Sequence, residues 1–377
     1  MRFLHIADLH IGKVLHKRSL LNDQEYILKQ IIQIAEEQKV DAVLIAGDIY
    51  QRNTPPPEAM TMFSNFITEL AKRRICCYII SGNHDSAQRV SYFSSLAELA
   101  DIHIAGTEAM VYDYETEDEY GLLTVHLLSY CTPSEVRLKY PEEAEKIHTY
   151  EDAVRTVLSH HSFNNEGRHI IVCHQFITGA KVCDSEELAI GGLDNISAAL
   201  FDRFDYAALG HLHGPQYVSR ETIRYAGSPL KYSFSELNQK KSVTIVDVLE
   251  KGNIRINTVL LKPLHEMREY TGTLEELLQY EPVEDYVHII LTDEETAADA
   301  NRQLRTVFPN MLLLTVRNSK MRDDLSVNTE IRPEQIDFLT MFSEFYSFQN
   351  AGAVPNERQQ KIVSKLLEQI DGEEKSI

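Results

Sequence analysis

Short apolar runs alternate with amphipathic stretches along residues 1–260 of the chain. Residues 2–7 predict a buried strand that ends at Asp8. Residues 22–38 set Ile27, Ile31, Ile34 and Ala35 at helical spacing. Residues 41–46 predict a second strand, ending at Gly47-Asp48. Pro55-Pro56-Pro57 opens a helix, since proline suits a first turn, with Met60, Phe63, Phe66, Ile67 and Leu70 on its apolar face. Residues 75–80 predict a third strand, ending at Ser81-Gly82-Asn83-His84-Asp85. Two more, at 169–173 and 206–209, end at His174 and Gly210-His211. Residues 141–162 read as a polar helix, and the acidic, tyrosine-rich 113–120 as a hairpin tip or exposed loop. The alternating segments 223–226, 243–248 and 254–260 predict an antiparallel sheet.

The texture changes at Pro263. A helix near 274–279, a strand at 286–291, a helix at 294–306 and a strand at 311–316 form a β-α-β pattern. The polar segment 321–329 reads as a linker. Two helical stretches follow, 333–349 and 356–370, split by Ala351-Gly352-Ala353-Val354-Pro355. In the first of them Ile336, Leu339, Phe342, Phe345 and Tyr346 share one apolar face. Such a face packs on a neighbouring domain or docks into a partner's groove.

Composition narrows the class. The 377 residues exceed one ordinary core. No apolar run approaches the ~18 residues of a membrane span, and the N-terminus lacks the apolar segment of a signal peptide. A cytoplasmic protein is expected. The five cysteines are an odd number without C-x-x-C spacing, which predicts buried reduced thiols. With 37 basic and 57 acidic residues the net charge is -20, a poor match for long-range attraction to nucleic acid. If the target is nucleic acid, bound cations must reverse the sign locally, or a partner must carry most of the binding surface.

The chemistry is positional. Five predicted strands each end in metal-ligand residue types: Asp8-Leu9-His10, Gly47-Asp48, Gly82-Asn83-His84-Asp85, His174, and Gly210-His211-Leu212-His213. Loops leaving the carboxyl ends of strands are where ligands bind in α/β sheets. Caps and turns would explain one such end, since Asp and Asn favour them, but not all five together. Asp, Asn and His without sulfur suit Mn²⁺ or Fe²⁺, with Mg²⁺ or Zn²⁺ as alternatives. Asp48 has two carboxylate oxygens with which to bridge a cation pair roughly 4 Å apart, which would clamp a phosphoryl group and activate a water.

Taken in order, these five blocks resemble the signature of calcineurin-like metallophosphoesterases over about the first 260 residues. Three further stretches are similar to SbcD nucleases, the bacterial relatives of the eukaryotic break-repair nuclease. They are Ile6-Ala7-Asp8-Leu9-His10-Ile11-Gly12-Lys13, Asn53-Thr54-Pro55-Pro56-Pro57-Glu58-Ala59 and Gly227-Ser228-Pro229-Leu230-Lys231-Tyr232-Ser233-Phe234.

The resemblance implies one metal held by Asp8, His10, Asp48 and His213, and another by Asp48, Asn83, His174 and His211. His84 would face the phosphate and either stabilise the transition state or protonate the leaving 3′ oxygen, using a side chain type whose charge changes near neutral pH. Asp85 would orient its loop. Many phosphatases of the superfamily place a second Asp where this chain has Gln51. That departure weakens a protein-phosphatase reading and leaves open what orients His84.

The resemblance also implies an α/β fold: a four-layer α-β-β-α sandwich over 1–262, a small β-α-β capping domain over 263–320, and a C-terminal helix-loop-helix over 321–377. Implied activities are Mn²⁺-dependent 3′→5′ exonuclease on double-stranded DNA ends and hairpin endonuclease. Implied partners are an SbcC-like ABC-type ATPase docked on the tail, which would gate the site with ATP, and a second copy of the chain in a two-plus-two complex. No ATP site is expected in this chain.

Lys13 and Arg52 are candidate contacts to a DNA backbone, and Ser228 to a phosphate, against plainer readings as solvated side chains and a Gly-Ser-Pro turn. His5, His16, His103, His126 and His265 lack the strand-end setting and are expected to be structural, with His160 and His161 solvated. A metallophosphatase for nucleotides or small phosphate esters is the alternative activity, and a non-catalytic scaffold the alternative class.

Overall fold

The computed structural model describes residues 1–163, 167–183, 186, 195–295 and 297–317, with Phe342, Tyr346, Pro355, Arg358, Gln359, Gln360 and Val363 in the tail. By its contacts the chain divides into Met1–Arg317 and Asn318–Ile377.

In chain order the main strands are β1 (Arg2–Ile6), β2 (Ala42–Ala46), β3 (Cys76–Ile80), β4 (Ile102–Ile104), β5 (Tyr112–Asp118), β6 (Gly121–Leu128), β7 (Arg168–His174), β8 (Tyr206–Gly210), β9 (Gln216–Val218), β10 (Arg220–Tyr225), β11 (Ser242–Val248) and β12 (Ile254–Leu260). They form two six-stranded mixed sheets, ordered β12-β11-β1-β2-β3-β4 and β9-β10-β8-β7-β6-β5. Helices α1 (Leu21–Glu37) and α2 (Pro57–Lys72) cover the first sheet, where Ile27, Ile31, Phe63 and Phe66 pack on Leu4, Ile6, Val43 and Ile45. Helices α3 (Pro133–Lys139) and α4 (Tyr150–His160) cover the second, through Val136, Val154 and Val157 against Ile171 and Cys173. Between the sheets lie Phe3, Leu44, Ala46 and Ile80 facing Val125, Ile170, Val172 and Ala208. This is the four-layer sandwich expected. Both faces of each central strand are covered, so β2 and β8 are buried throughout.

Several elements differ from the sequence reading. Of the segment expected as a hairpin tip or exposed loop, only Glu119 and Tyr120 form the tip; residues 112–118 are the edge strand of the second sheet, paired along its length with β6. Its tyrosines alternate with acidic residues because one face packs and the other meets water. The predicted helix at 141–162 is broken at Ile147 and restarts at Thr149, whose side chain makes a capping box with Asp152. Segments 223–226 and 243–260 do not share a sheet. β10 runs parallel to β8, whereas β11 and β12 form an antiparallel pair on the far side of β1.

The smaller unit after Pro263 is a three-stranded parallel sheet of β13 (Met267–Gly272), β14 (Tyr286–Leu291) and β15 (Met311–Val316), with β14 central. Its first strand was missing from the predicted β-α-β pattern. Leu277 and helix α5 (Ala300–Val307) close its core with Val287, Ile289 and Phe308. In the tail, Phe342 and Tyr346 are helical with ring centroids 6.0 Å apart, and Gln359 donates to the Tyr346 hydroxyl at 3.0 Å. Ile336, Leu339, Phe345 and the linker 321–329 lie outside the described residues. Among the described residues no helix is long and apolar enough to cross a membrane, and the five cysteines are free thiols.

Candidate active site

The topology gathers the five strand ends. β1, β2 and β3 of one sheet and β7 and β8 of the other deliver Asp8, His10, Asp48, Asn83, His84, His174, His211 and His213 to one place. Six of these eight, all but Asn83 and His84, are buried.

The turns that present them are conformationally unusual. Asp8, His10, Asp48 and His211 all have positive φ, at 53°, 44°, 49° and 103°. Each such non-glycine residue costs about 1–3 kcal/mol and persists only where its surroundings dictate it. Here they are dictated by main-chain bonds: Asp8 N–H donates to Gly47 O at 3.1 Å and His10 N–H to Asp48 O at 2.9 Å. The two sheets are tied by the His211 amide, which donates to Asp8 Oδ1 at 2.9 Å. Close approach sets the glycines. Gly47 has φ +83°, and a Cβ there would stand 2.5 Å from His174 Nδ1. A Cβ at Gly210 would collide with the Ala46 carbonyl.

Side-chain atoms converge on Asp48. Its Oδ1 accepts the His84 amide at 2.9 Å. That leaves Oδ2 as the oxygen facing the cluster, 3.5 Å from both His10 Nε2 and His174 Nε2 and 3.9 Å from His84 Nε2. Oδ2 is thus the Asp48 oxygen nearest these imidazoles, while Oδ1 is held by the main chain. On one side, His10 Nε2 and His213 Nε2 face each other at 3.1 Å. On the other, Asn83 Oδ1 lies 3.0 Å from His174 Nε2 and 3.0 Å from His211 Nδ1. His174 Nδ1 bonds Ala46 O at 2.8 Å, which turns Nε2 inward.

The donor set fits divalent cations. Asp8 Oδ2 and His10 Nδ1 are buried without a hydrogen-bond partner, an expensive arrangement in a protein interior. Two ligand groups, Asp8-His10-His213 and Asp8-Asp48-His174, share Asp8. Burial pushes the Asp8 carboxyl well above its usual range. Burial also opposes a charged His174, but Asp48 overcomes it and lifts that imidazole to about 9. The chain thus concentrates opposed charges that cations would reconcile.

Two supports were invisible in the sequence. Glu236 is fully buried, with Oε1 3.5 Å from His213 Nδ1. Burial opposes its ionisation, yet His213 and Lys241 hold its carboxyl down at about 2. The buried Lys241 ammonium pairs with Glu236 and also donates to the His213 carbonyl at 2.9 Å. The second support is the Gln51 carbonyl, 3.2 Å from His84 Nδ1. A Glu236-x4-Lys241 spacing is no signal by itself, and a carbonyl has no letter.

The remaining candidates fall as follows. Asp85 accepts three amides, from Gly82 at 2.9 Å, Ile49 at 3.0 Å and Tyr50 at 2.9 Å. Its carboxylate therefore braces two loops and does not face the reacting centre. Burial and Asp48 push its carboxyl up to about 6. Ser228 is fully buried. Its hydroxyl donates to Leu230 O at 2.7 Å and accepts from Lys241 at 2.8 Å, which leaves it no hydrogen for a phosphate. Lys13 lies 5.6 Å from the Tyr232 ring, in a cleft with His16, Phe234 and Leu313. Arg52 is exposed. His5 is structural, joining the sheets through Tyr206 Oη at 2.9 Å and Leu209 O at 3.2 Å. His265 bonds Asp23 at 2.8 Å and His103 stacks on Tyr78.

Comparison with known proteins agrees with this geometry. Residues 1–215 match the calcineurin-like phosphoesterase family, and residues 263–350 match the type 5 capsule protein repressor C-terminal domain. The SbcD component of the nuclease SbcCD from Staphylococcus epidermidis is 32% identical over 380 residues, covering 98% of this chain and 99% of that one. A dimetal phosphatase from Danio rerio shares 10% identity at a TM-score of 0.41, covering 68% of this chain and 95% of that one, a likeness too loose to add weight. The chain belongs to the calcineurin-like phosphoesterases and, among them, to the SbcD family of nuclease subunits.

Proposed function

We propose that the chain is the Mn²⁺-dependent nuclease subunit of an SbcC–SbcD type repair complex. It hydrolyses DNA phosphodiesters as a double-strand 3′→5′ exonuclease and a hairpin endonuclease. The observation that carries this reading is the position of Asp48 Oδ2, equidistant at 3.5 Å from His10 and His174, the innermost imidazoles of two ligand groups. One cation is assigned to Asp8, His10, Asp48 and His213, the other to Asp48, Asn83, His174 and His211. Bound there, divalent cations supply Lewis acidity toward the phosphate and a water activated for in-line attack.

The chain's own residues do the rest. The two sheets hold the ligands at fixed separations, so no reorganisation is needed as charge develops. Gln51 O fixes His84 Nδ1 and directs Nε2 toward the Asp48 side of the site, where it delivers a proton to the leaving 3′ oxygen. Lys13 and Arg52 are assigned to the DNA backbone. The -20 charge supports a division of labour in which an SbcC-like ATPase, docked on the tail face of Ile336, Leu339, Phe342, Phe345 and Tyr346, contributes DNA-binding surface and gating. We assign the chain a nuclease domain to 262, a cap to 320, a partner-binding tail beyond, a homodimeric two-plus-two assembly and a cytoplasmic place of work.

The test is Mn²⁺-dependent cleavage of a labelled DNA hairpin by wild type, His84→Gln and Asp48→Ala, with and without the ATPase. The reading requires that wild type cuts, that His84→Gln keeps metal but not cutting, and that Asp48→Ala loses both. Hydrolysis of a small phosphodiester with DNA intact under every condition would transfer the site to a metallophosphatase.

A further inference from the structure

A second cluster of ligand-type side chains lies on the outer face of the second sheet. Asp113 on the edge strand β5 and His126 on β6 are cross-strand partners. His161, at the C-terminal end of α4, reaches the same point. The sequence predicts a packing role for His126 and a solvated His161. In the structure three of their atoms close a triangle. His126 Nδ1 is 2.7 Å from Asp113 Oδ1, His161 Nε2 is 3.1 Å from Asp113 Oδ1, and the two ring nitrogens are 3.1 Å apart.

Hydrogen bonding can hold this triangle, but not evenly. If both rings donate to Asp113 Oδ1, two N–H groups crowd one oxygen with their nitrogens only 3.1 Å apart. If one ring instead turns its lone pair to the other, it gives up its bond to the carboxylate. One cation would satisfy all three edges at once. Zinc bonds of about 2.0–2.2 Å in tetrahedral array give an edge of roughly 3.3 Å, so the triangle needs to open by only a few tenths of an ångström.

The surroundings agree. His126 Nε2 lies 2.9 Å from His169 Nδ1, the kind of bond by which a metal-binding imidazole hands on its other proton. His169 is held in turn through its amide, which donates to Asp205 at 2.7 Å. Phe163 and Phe204 pack on the His126 ring. Exposure is graded: the side chains of His126, His161 and Asp113 are 2%, 14% and 37% exposed, so one side opens to water while the other is sealed. Burial lowers the His126 pKa, which favours the neutral ring that a metal requires.

We propose that Asp113, His126 and His161 form a binding site for one divalent transition metal ion of the zinc class, separate from the catalytic centre. Its residue set is two imidazoles and a carboxylate, with a fourth position open to water. The bound ion would fasten the edge strand β5 and the end of α4 to the sheet. The site goes beyond the nuclease reading and does not depend on it.

The experiment is equilibrium dialysis of metal-stripped full-length chain against Zn²⁺ alone, followed by elemental analysis. His161→Ala removes a ligand at a partly exposed position, and Asp113→Asn keeps the shape of the carboxylate. Both variants should bind about one zinc ion fewer per chain than wild type and show a smaller zinc-dependent rise in Tm, while taking up as much Mn²⁺ as wild type in a separate dialysis. Equal zinc content in wild type and in either folded variant, as judged by circular dichroism, would overturn the proposal and leave a hydrogen-bonded cluster.

Discussion

The main-chain carbonyl of Gln51 lies 3.2 Å from Nδ1 of His84. The sequence left His84 without an orienting carboxylate, because position 51 carries an amide side chain. The fold supplies the function from the backbone instead. His84→Gln should lower DNA cleavage by about 10²- to 10⁴-fold with metal content unchanged, the usual scale for loss of a general acid. Gln51→Ala keeps the carbonyl, and its effect should stay below about tenfold on the same scale. If Gln51→Ala costs as much turnover as His84→Gln, the side chain and not the carbonyl positions the imidazole.

Asp8 and Asp48 differ in reach. Asp8 Oδ1 holds the His211 amide, and in the proposed assignment Asp8 serves one cation, whereas Asp48, whose Oδ2 lies 3.5 Å from both His10 and His174, serves two. Asparagine tolerates positive φ and keeps an oxygen for the amide bond, so both isosteric variants should fold. Asp8→Asn should then retain about half of the wild-type Mn²⁺ after dialysis, and Asp48→Asn almost none. Equal metal content in the two variants would contradict a shared ligand at Asp48.

The candidate site is legible because it is written at strand ends. Apolar runs locate β1, β2, β3, β7 and β8, and each is followed at once by carboxylate, amide or imidazole side chains. The residues behind them are not legible. Glu236 and Lys241 reach His213 only through the packing of a loop, and nothing in their local pattern marks them as buried. The hairpin tip expected at 113–120 is confined to Glu119 and Tyr120; the strand before it is not legible because Tyr-Asp-Tyr-Glu-Thr-Glu-Asp carries no aliphatic residue. Its pairing comes from β6 alongside, not from its own apolar content. For the same reason the sequence leaves Asp113 apart from His126, which the sheet register makes direct neighbours.

Glu236 stands behind one proposed metal ligand and beside one buried ammonium. It sits behind His213, at 3.5 Å, and neutralises the buried Lys241. Replacing it by glutamine leaves His213 without its anionic support, which should weaken metal binding about 10- to 100-fold. The same change leaves the Lys241 charge uncompensated, at a cost of about 3–5 kcal/mol. Glu236→Gln with Lys241→Met removes both charges and should recover most of the stability but not the metal affinity. Urea unfolding and a Mn²⁺ titration on the two variants separate these effects. Recovery of affinity by the double variant would mean that Glu236 acts on the fold alone.

The pair Asp118–Arg168 predicts how stability depends on pH. Arg168 is 2% exposed at the start of β7. Asp118 Oδ1 accepts from Arg168 Nη2 at 2.5 Å, and Oδ2 lies 2.5 Å from the N-terminal ammonium. Burial opposes the Asp118 carboxylate, but Arg168 and the N-terminus hold its carboxyl well below the usual range. Because the folded value lies below the unfolded one, the stabilisation is complete above about pH 4 and fades as the pH falls further. Asp118→Asn removes it at every pH. At neutral pH the loss should be about 3 kcal/mol, the low end for orphaning a buried charge, since the Gly121, Val248 and Leu249 carbonyls still accept from Arg168. Urea midpoints of wild type and Asp118→Asn should therefore differ fully at pH 7 and draw together only as the pH falls from about 4 toward 2. A gap that stays constant across that interval would show that the Asp118 charge does not carry the effect.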